Sequence, residues 1–318
     1  MIEFARNILL TGASGFVGRR LAARLRALAT SGGVLAALDR LAPLDGWTPV
    51  NIDIRDEGEV ARAIAEVRPD LVVHLAAQSS VALAHGSTEE TWRTNFGGTL
   101  AIASACARLA PAATLLFAST SEVYGASFID GVASETTALR PMNAYARSKA
   151  AGESMLIDVL APTNRLITTR AFNHTGAGQN TSFVLPSFAL QIARIAKGRQ
   201  PPVVSVGNLS AARDFLHVDD VLEAYILLLA RRNELPVRST FNICSGKTHS
   251  LQSLLESMRD LAAVPFEIHV DPNRLRASDI PNAAGSSALL RDSIGWSPKI
   301  ALTDLLRELL QAAASSVE

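Results

Sequence analysis

Apolar residues in the first half of the chain form short runs that alternate with longer patterns of helical spacing. The short runs lie at 8–10, 34–38, 71–73, 114–118 and 166–169. The helical patterns lie between them, at 16–29, 57–67, 88–109 and 144–160. Strands that are apolar on both faces and separated by helices are typical of a parallel sheet covered on each side. The pattern therefore predicts an α/β fold with a doubly wound parallel sheet and helices on both faces.

The pattern changes after about Asn173, where prolines and glycines divide the rest of the chain into short elements. We therefore predict a larger domain over 1–173 and a smaller α/β domain over 174–318. The run at 240–244 has the composition of a buried strand that can return to the main sheet. We expect a returning segment near 216–244, so the boundary between the domains is not a single cut.

The composition is that of a folded protein without a basic surface. Hydrophobic residues make up 48% of the chain, and thirty Lys+Arg balance thirty Asp+Glu, so no charge attracts nucleic acid or an anionic membrane. The apolar run at 221–230 is too short for a membrane span, which takes about 20 residues, and residues 1–10 do not form a signal peptide. The widely spaced Cys106 and Cys244 indicate a reducing compartment. We expect a soluble cytoplasmic protein with no nucleic-acid or membrane partner.

A glycine motif joins the first predicted strand to the first predicted helix. Gly12 suits a tight turn, Gly15 lets backbone amides approach a pyrophosphate, and Gly18 lets helix and strand pack closely. A motif at this junction predicts a Rossmann-type dinucleotide site. The cofactor contacts assigned to this loop are Gly12, Ser14, Gly15, Phe16, Val17 and Gly18.

The identity of the coenzyme depends on two residues at the end of the second predicted strand. Asp39 is suited to accept hydrogen bonds from the ribose hydroxyls of NAD, whereas Arg40 is suited to pair with the 2′-phosphate of NADP. NAD(H) and NADP(H) therefore stay open. We assign further cofactor contacts to Asp53, Ile54, Leu75, Ala76, Ala77, Tyr145, Lys149, Phe172 and His174.

Tyr145 and Lys149 lie four residues apart near the start of a predicted helix, so both side chains share one face. An ammonium group there is expected to lower the pKa of the phenol and to make Tyr145 a proton donor or acceptor beside a carbonyl. The polar residues 119–122 follow a strand, at the sheet edge where parallel α/β folds bind ligands. Together with the glycine motif, these features indicate a ligand site with a residue placed for proton transfer.

These motifs resemble the extended short-chain dehydrogenase/reductase family that acts on nucleotide sugars. The resemblance rests on the glycine motif, on segments 76–80 and 119–125, and on Tyr145-x-x-x-Lys149. Segments 172–179, 213–215, 242–246 and 271–276 look like the GDP-mannose branch, which contains GDP-mannose 4,6-dehydratases and GDP-4-keto-6-deoxymannose reductases. The resemblance implies an NAD(P)-binding first domain, a nucleotide-sugar-binding second domain and a GDP-sugar substrate. It also implies a homodimer. The small apolar residues at 101–110, with the helix of Tyr145, fit either a subunit interface or packing against the sheet of the same chain.

The same resemblance implies roles for individual residues. Thr120 hydrogen-bonds the sugar O4, Tyr145 moves the O4 proton, and Lys149 holds the cofactor ribose. Asn173, Arg213 and Arg276 are expected to orient the substrate, because guanidinium groups suit a diphosphate, whereas Arg274 is expected to be solvated. The other substrate contacts are assigned to Gln78, Ser79, Ser80, Thr120, Ser121, Phe183 and Val184.

Glu122 leaves more than one activity open. In the dehydratases of this branch a Glu at this place removes the C5 proton, which supports a GDP-mannose 4,6-dehydratase. The first loop lacks the Gln-Asp-Gly sequence of those enzymes, and 271–281 is more like the reductases. We therefore favour NAD(P)H-dependent reduction of the C4 ketone of a GDP-4-keto-6-deoxyhexose to a rhamnose-type or talose-type product. A nucleotide-sugar 4-epimerase and a non-catalytic dinucleotide sensor also stay open.

The six histidines show no metal-ligand spacing, so no catalytic metal is expected. His74 is expected to be a hydrogen-bonded strand residue. His217 is predicted to start a helix, with Asp219 and Asp220 in its first turn. His174 is predicted to border the nicotinamide.

Overall fold

The computed structural model describes residues 4–39, 44–79, 86–275 and 280–317. The strands are β1 (Ile8–Thr11), β2 (Leu35–Leu38), β3 (Thr48–Val50), β4 (Leu71–His74), β5 (Thr114–Ala118), β6 (Arg165–Ala171), β7 (Asn173–Thr175), β8 (Val203–Val206), β9 (Ala212–His217), β10 (Arg238–Ile243), β11 (Thr248–Ser250), β12 (Glu267–Val270) and β13 (Asn282–Ala283). The α-helices are α1 (Phe16–Leu28), α2 (Glu57–Val67), α3 (Thr88–Trp92), α4 (Gly98–Leu109), α5 (Ala144–Val159), α6 (Val184–Ala196), α7 (Val218–Ala230), α8 (Leu251–Ala262), α9 (Ala288–Ile294) and α10 (Leu302–Ser316).

Seven parallel strands form the main sheet in the order β3-β2-β1-β4-β5-β6-β10. Every residue of β1 and β4 is buried, as expected for strands that are covered on both faces. The order of the strands reverses between β1 and β4, which opens a crevice at their carboxyl ends. The predicted doubly wound Rossmann-like fold is thus confirmed.

The two faces of the sheet have separate apolar cores. On one face α1 and α7 bury Leu21, Leu25 and Leu222 against the strands. On the other face α2, α4 and α5 bury Ile64, Ile102 and other aliphatic residues. The helices follow the predicted patterns closely, because the spacing of apolar residues on each one matches a single buried face.

One strand of the main sheet and one turn of a helix depart from the sequence pattern. The short edge strand β3 was not predicted, because its residues are largely exposed and Pro49 is tolerated there only at an edge. At the other edge β10 pairs in parallel with β6, so the chain returns to the main sheet after β9, as expected for the run at 240–244. The predicted helix at 88–109 is continuous but contains a π-helical turn at Arg93–Gly97.

The rest of the chain forms two small sheets and a separate apolar core. β9 pairs with β7, β11 and β13, and β8 pairs with β12. Helices α6, α8 and α10 pack around this core through Phe188, Leu255 and Leu306. Within the described ranges no helix is both long and apolar enough to cross a membrane.

Candidate active site

A cleft of about 1750 Å³ runs from the glycine loop, across the carboxyl ends of β1, β4, β5 and β6, to α6 and the 207–215 segment. The assigned residues that line it are Gly12, Ser14, Gly15, Phe16, Val17, Gly18, Asp39, Asp53, Ile54, Leu75, Ala76, Ala77, Gln78, Ser79, Thr120, Ser121, Glu122, Tyr145, Lys149, Phe172, Asn173, His174, Phe183, Val184 and Arg213. Arg40, Ser80 and Arg276 lie outside the described residues.

The glycine loop has a backbone geometry that only glycine fits well. Gly12 has a φ of +70°, and a Cβ there would lie 2.7 Å from the backbone nitrogen of Ala76. Gly15 is the N-cap of α1 and has no side chain to accept from the first amides of the helix. Amide donors at a helix N-terminus that face a cleft suit a pyrophosphate. The loop therefore fits a dinucleotide.

Carboxylates surround the neighbouring part of the cleft. Asp39 Oδ2 accepts the backbone amide of Ser14 at 2.6 Å, which ties the end of β2 to the glycine loop. Arg55, which sequence reasoning missed, lines the same region. Its guanidinium donates to Asp53 Oδ2 at 2.8 Å and to Glu90 Oε1 at 2.5 Å. These two carboxylates hold Arg55 in place, and no motif signals that arrangement.

Tyr145 lies in the first turn of α5, where its phenol hydrogen-bonds with Thr120. Asn143 caps this helix by accepting the amide of Ala146 at 2.8 Å. Burial raises the pKa of Tyr145 above its ordinary value; the hydrogen bond with Thr120 lowers it, and the charge of Glu122 raises it. The phenol is therefore protonated at neutral pH, which is the form that a proton donor needs.

Lys149 lies one turn further along α5 and is fully enclosed. Its Nζ donates to the carbonyl oxygen of Ala118 at 2.7 Å and lies 4.7 Å from the centre of the Phe117 ring. Burial lowers the pKa of Lys149 to about 8, against the charge of Glu153, which raises it. The expectation that the pKa of Tyr145 is lowered is wrong for this structure, because burial outweighs the influences that stabilise the phenolate.

His174 is held in a defined tautomer. Its Nδ1 lies 3.0 Å from the carbonyl oxygen of Phe172, and a carbonyl can only accept, so Nδ1 carries the proton. Burial lowers the pKa of His174, which favours the neutral imidazole. Gln179 donates to the carbonyl oxygen of His174 at 3.1 Å and fixes the following loop. The ring is thus a neutral side chain in the wall of the cleft.

The far end of the cleft contains two arginines. Arg213 donates to the carbonyl oxygens of Ala212 at 2.9 Å and Ile280 at 2.6 Å. Arg274, expected to be only solvated, lines the cleft as well, although its side chain is 46% exposed and pairs with Asp271. Both guanidinium groups therefore border the region opposite the glycine loop.

Asn95 and Tyr225 are two further residues that sequence reasoning missed. Asn95 lies in the π-helical turn. Its Oδ1 accepts from the backbone amide of Gln78 at 2.8 Å, and its Nδ2 donates to the backbone carbonyl oxygen of Gln78 at 3.1 Å. Tyr225 of α7 lines the cleft and hydrogen-bonds with Thr169, and burial raises the pKa of its phenol. Neither residue belongs to a local motif, because both meet the site through long-range packing.

His74 and His217 have structural partners. His74 lies between the hydroxyls of Thr11, at 2.7 Å, and Thr99, at 3.0 Å, and burial lowers its pKa to about 3. His217 caps α7 by accepting the amide of Asp219 at 3.0 Å. Both sequence predictions are confirmed. In the described parts of the chain, no group of three His, Cys, Asp or Glu side chains could hold a metal ion.

Comparison with known proteins agrees with this geometry. Residues 9–309 match the family described as GDP-mannose 4,6 dehydratase. GDP-6-deoxy-D-mannose reductase of Pseudomonas aeruginosa is 35% identical over 314 residues, which cover 98% of each chain. GDP-mannose 4,6 dehydratase of Drosophila melanogaster is 25% identical over 282 residues, or 82% of this chain and 70% of that one.

Two solved structures match over nearly the whole chain. RMD from Pseudomonas aeruginosa complexed with NADPH is 34% identical, with a TM-score of 0.82 over 98% of this chain and 100% of that chain. UDP-glucose 4-epimerase of Thermus thermophilus in complex with NAD is 28% identical, with a TM-score of 0.83 over 98% and 99% of the two chains. Since both the family match and the 35% identical relative span nearly the full length, the chain belongs to the GDP-mannose 4,6 dehydratase family of extended short-chain dehydrogenases/reductases.

Proposed function

We propose that the protein reduces the C4 ketone of a GDP-4-keto-6-deoxyhexose with NAD(P)H and forms a GDP-6-deoxyhexose. The observation that supports this most directly is the buried, protonated phenol of Tyr145, hydrogen-bonded to Thr120 in the cleft that begins at the glycine loop. The 35% identical GDP-6-deoxy-D-mannose reductase and the related structure complexed with NADPH support the same activity.

The residues of the cleft suit the proton transfer. When bound, a reduced nicotinamide supplies the hydride that converts the ketone into an alcohol. Thr120 and Tyr145 bind the carbonyl oxygen with two hydroxyl groups, and Tyr145 gives it a proton. The ammonium of Lys149 stabilises the negative charge that develops as the phenol loses its proton. Glu122 orients the sugar beside Tyr145.

The two ends of the cleft suit the two ligands. The glycine loop and Asp39 bind the dinucleotide, so residues 1–173, with a returning segment near 216–244, serve as the NAD(P)-binding domain. Residues 174–318 mainly bind the nucleotide sugar. Arg213, Arg274 and Asn173 meet its diphosphate and sugar, because guanidinium groups form paired hydrogen bonds with phosphate oxygens.

The proposed assembly and setting follow from surface and thiol chemistry. Ile157 of α5 is 61% exposed and Leu109 at the end of α4 is 41% exposed, which suits a homodimer formed through these two helices. Cys106 and Cys244 are buried free thiols, and burial raises the pKa of each to about 12. Unreactive, unpaired thiols suit a reducing cytoplasm.

A GDP-mannose 4,6-dehydratase is the second candidate, because Glu122 lies in the cleft close enough to influence the pKa of Tyr145. In that reaction Glu122 takes the C5 proton and the cofactor is regenerated in each turnover. The observation also fits a residue that only orients the sugar.

An assay with two substrates tests the proposal. The purified protein is incubated with GDP-4-keto-6-deoxymannose and NADH or NADPH, and in parallel with GDP-mannose. Loss of absorbance of the reduced cofactor that depends on the keto sugar supports the reductase. Conversion of GDP-mannose to the keto sugar without net cofactor loss supports the dehydratase instead, and no turnover in either assay rejects both.

A further inference from the structure

Three residues of α5 are spaced by four and lie on one face of the helix: Tyr145, Lys149 and Glu153. This face packs on the carboxyl end of β5, and each of the three side chains has its own partner there. The partners are, in order, the hydroxyl of Thr120, the carbonyl of Ala118 and the hydroxyl of Ser119. Three successive residues at the end of β5 are therefore bound to three successive turns of α5.

Glu153, the third of these residues, forms a buried ion pair with Arg170 of β6. Glu153 Oε2 accepts from Arg170 Nη2 at 2.7 Å and from Nε at 3.1 Å, and both side chains are only 8% exposed. Neither residue lines the cleft. Burial alone lowers the pKa of Arg170, but the hydrogen bonds and charge of Glu153 raise it above its ordinary value. Arg170 is therefore charged, and its ion pair with Glu153 lies outside the cleft lining.

Arg170 is fixed by further groups on other elements. Its guanidinium donates to the hydroxyl of Tyr124 at 3.0 Å and to the carbonyl oxygen of Glu135 at 3.0 Å. The Tyr124 hydroxyl donates to Asn242 Oδ1 at 2.7 Å, so the network reaches β10. A buried network with satisfied donors and acceptors is rigid. Glu153 is thus a fixed anchor point for the end of β5.

Glu153 also acts on Lys149 through its charge, which raises the pKa of the ammonium group. Burial lowers the pKa of Lys149 to about 8, and Glu153 is the carboxylate on the same helix face that opposes this shift. Two further titratable groups of this region, His74 and Tyr145, are uncharged near neutral pH: burial lowers the pKa of His74 to about 3, and burial raises the pKa of Tyr145. The guanidinium of Arg170, on β6, offsets part of the negative charge. The protonated state of Lys149 therefore depends on Glu153.

We infer that Glu153, held by Arg170, is a positioning residue that fixes the end of β5 on α5, so that Thr120 and Lys149 meet Tyr145 in the reactive arrangement. This inference rests on the proposed function, because it concerns the same proton-transfer residues. Glu153 touches neither the cleft nor the reacting atoms. A purely structural ion pair would stabilise the fold and leave the proton transfer unchanged.

Ser119→Ala separates positioning from stability. It removes one hydroxyl contact to the carboxylate and leaves the ion pair of Glu153 with Arg170 intact. We expect kcat to fall about tenfold, because small displacements of reacting groups are costly. The KM for NAD(P)H and the midpoint of thermal unfolding are expected to stay close to those of the wild type. An unchanged kcat would overturn the inference.

The electrostatic effect can be measured without turnover. The chain has four lysines, at 149, 197, 247 and 299, so [ε-¹³C]lysine labelling gives few resonances, and Lys149→Arg identifies the signal of Lys149. Glu153→Gln keeps an acceptor for Ser119 and removes the charge, and we expect it to lower the pKa of Lys149. Asp158→Asn, an exposed substitution on the same helix, is the matched control and is expected to leave that pKa unchanged.

The outcomes separate this inference from the proposed function. A wild-type protein that turns over no keto sugar rejects the proposed function, while the ¹³C titration still decides whether Glu153 controls Lys149. An equal pKa for Lys149 in Glu153→Gln and Asp158→Asn overturns the inference. If Glu153→Gln does not fold, Ser119→Ala decides, because that substitution leaves no buried charge unpaired.

Discussion

Asn143 Nδ2 donates a hydrogen bond to Glu122 Oε2 at 3.2 Å. Asn143 is also the N-cap of α5, so one residue both starts the helix of Tyr145 and orients the carboxylate beside it. This link explains why the end of β5 and the start of α5 form a single structural unit. It also allows Glu122 to be fixed in the cleft whether or not it transfers a proton.

Glu122→Gln is expected to distinguish a positioning carboxylate from a base. The amide oxygen can still accept from Asn143, so reduction of GDP-4-keto-6-deoxymannose is expected to stay within about tenfold of the wild type. A general base contributes about 10² to 10⁴ in rate, so dehydration of GDP-mannose, if it occurs, would be lost by that factor. Initial rates with both substrates check this. A loss of reduction as large as that range would contradict a positioning role.

Tyr145→Phe is expected to remove the proton donor while leaving the cofactor site intact. We expect kcat for the reduction to fall about 10² to 10⁴-fold, because a positioned general acid contributes that much. Binding of NADH or NADPH, followed by fluorescence titration, is expected to change little. Unchanged turnover would favour a protein that only senses the dinucleotide.

The pH dependence of the reduction is expected to follow Lys149. Burial places its pKa at about 8, below the ordinary lysine value, and the protonated form is the one that assists Tyr145. The value of kcat/KM should therefore be high below pH 8 and fall as the pH rises through about 8. The pH profile of kcat/KM reports on the ionisable groups of the free enzyme. A profile that stays flat well above pH 8 would show that Lys149 does not control the step.

Asp39→Ala is expected to change the preference between the two coenzymes. The carboxylate lies beside the glycine loop, where it favours ribose hydroxyls and repels a 2′-phosphate. We expect the ratio of kcat/KM for NADPH to kcat/KM for NADH to rise by about tenfold or more, since a charge effect of about 1.4 kcal/mol suffices. Steady-state kinetics with both coenzymes measures this ratio. A ratio that falls or stays constant would rule out this role for Asp39.

Gly18→Ala is expected to destabilise the fold. A Cβ at Gly18 would overlap the carbonyl oxygen of Gly12 and lie 2.8 Å from the Cα of Ala13, both of which are backbone atoms that cannot move aside easily. We expect a loss of about 1–3 kcal/mol in the free energy of unfolding, as for other overpacked sites. Denaturant unfolding measures it. Gly97→Ala is the control, since a Cβ there meets nothing within 4 Å. Equal stabilities for the two variants would contradict the packing argument.

Local patterns could be predicted from the sequence, whereas long-range contacts could not. The glycine loop and the Tyr145–Lys149 pair are encoded by spacing within one element and its neighbour, and the structure has both as expected. Asn95 and Glu153 act through partners on other strands and helices, so no local spacing signals them. The sign of the shift in the pKa of Tyr145 was wrong for the same reason, because burial depends on the whole fold.

The central claim is that the protein delivers a hydride from NAD(P)H to C4 of a GDP-4-keto-6-deoxyhexose. The most direct measurement uses NADH and NADPH that are deuterated on the transferring face, followed by mass spectrometry and NMR of the sugar product. A GDP-6-deoxyhexose that carries one deuterium at C4, formed in equal amount to the oxidised cofactor, is the predicted result. A keto sugar formed from GDP-mannose without deuterium and without net cofactor oxidation would contradict the claim.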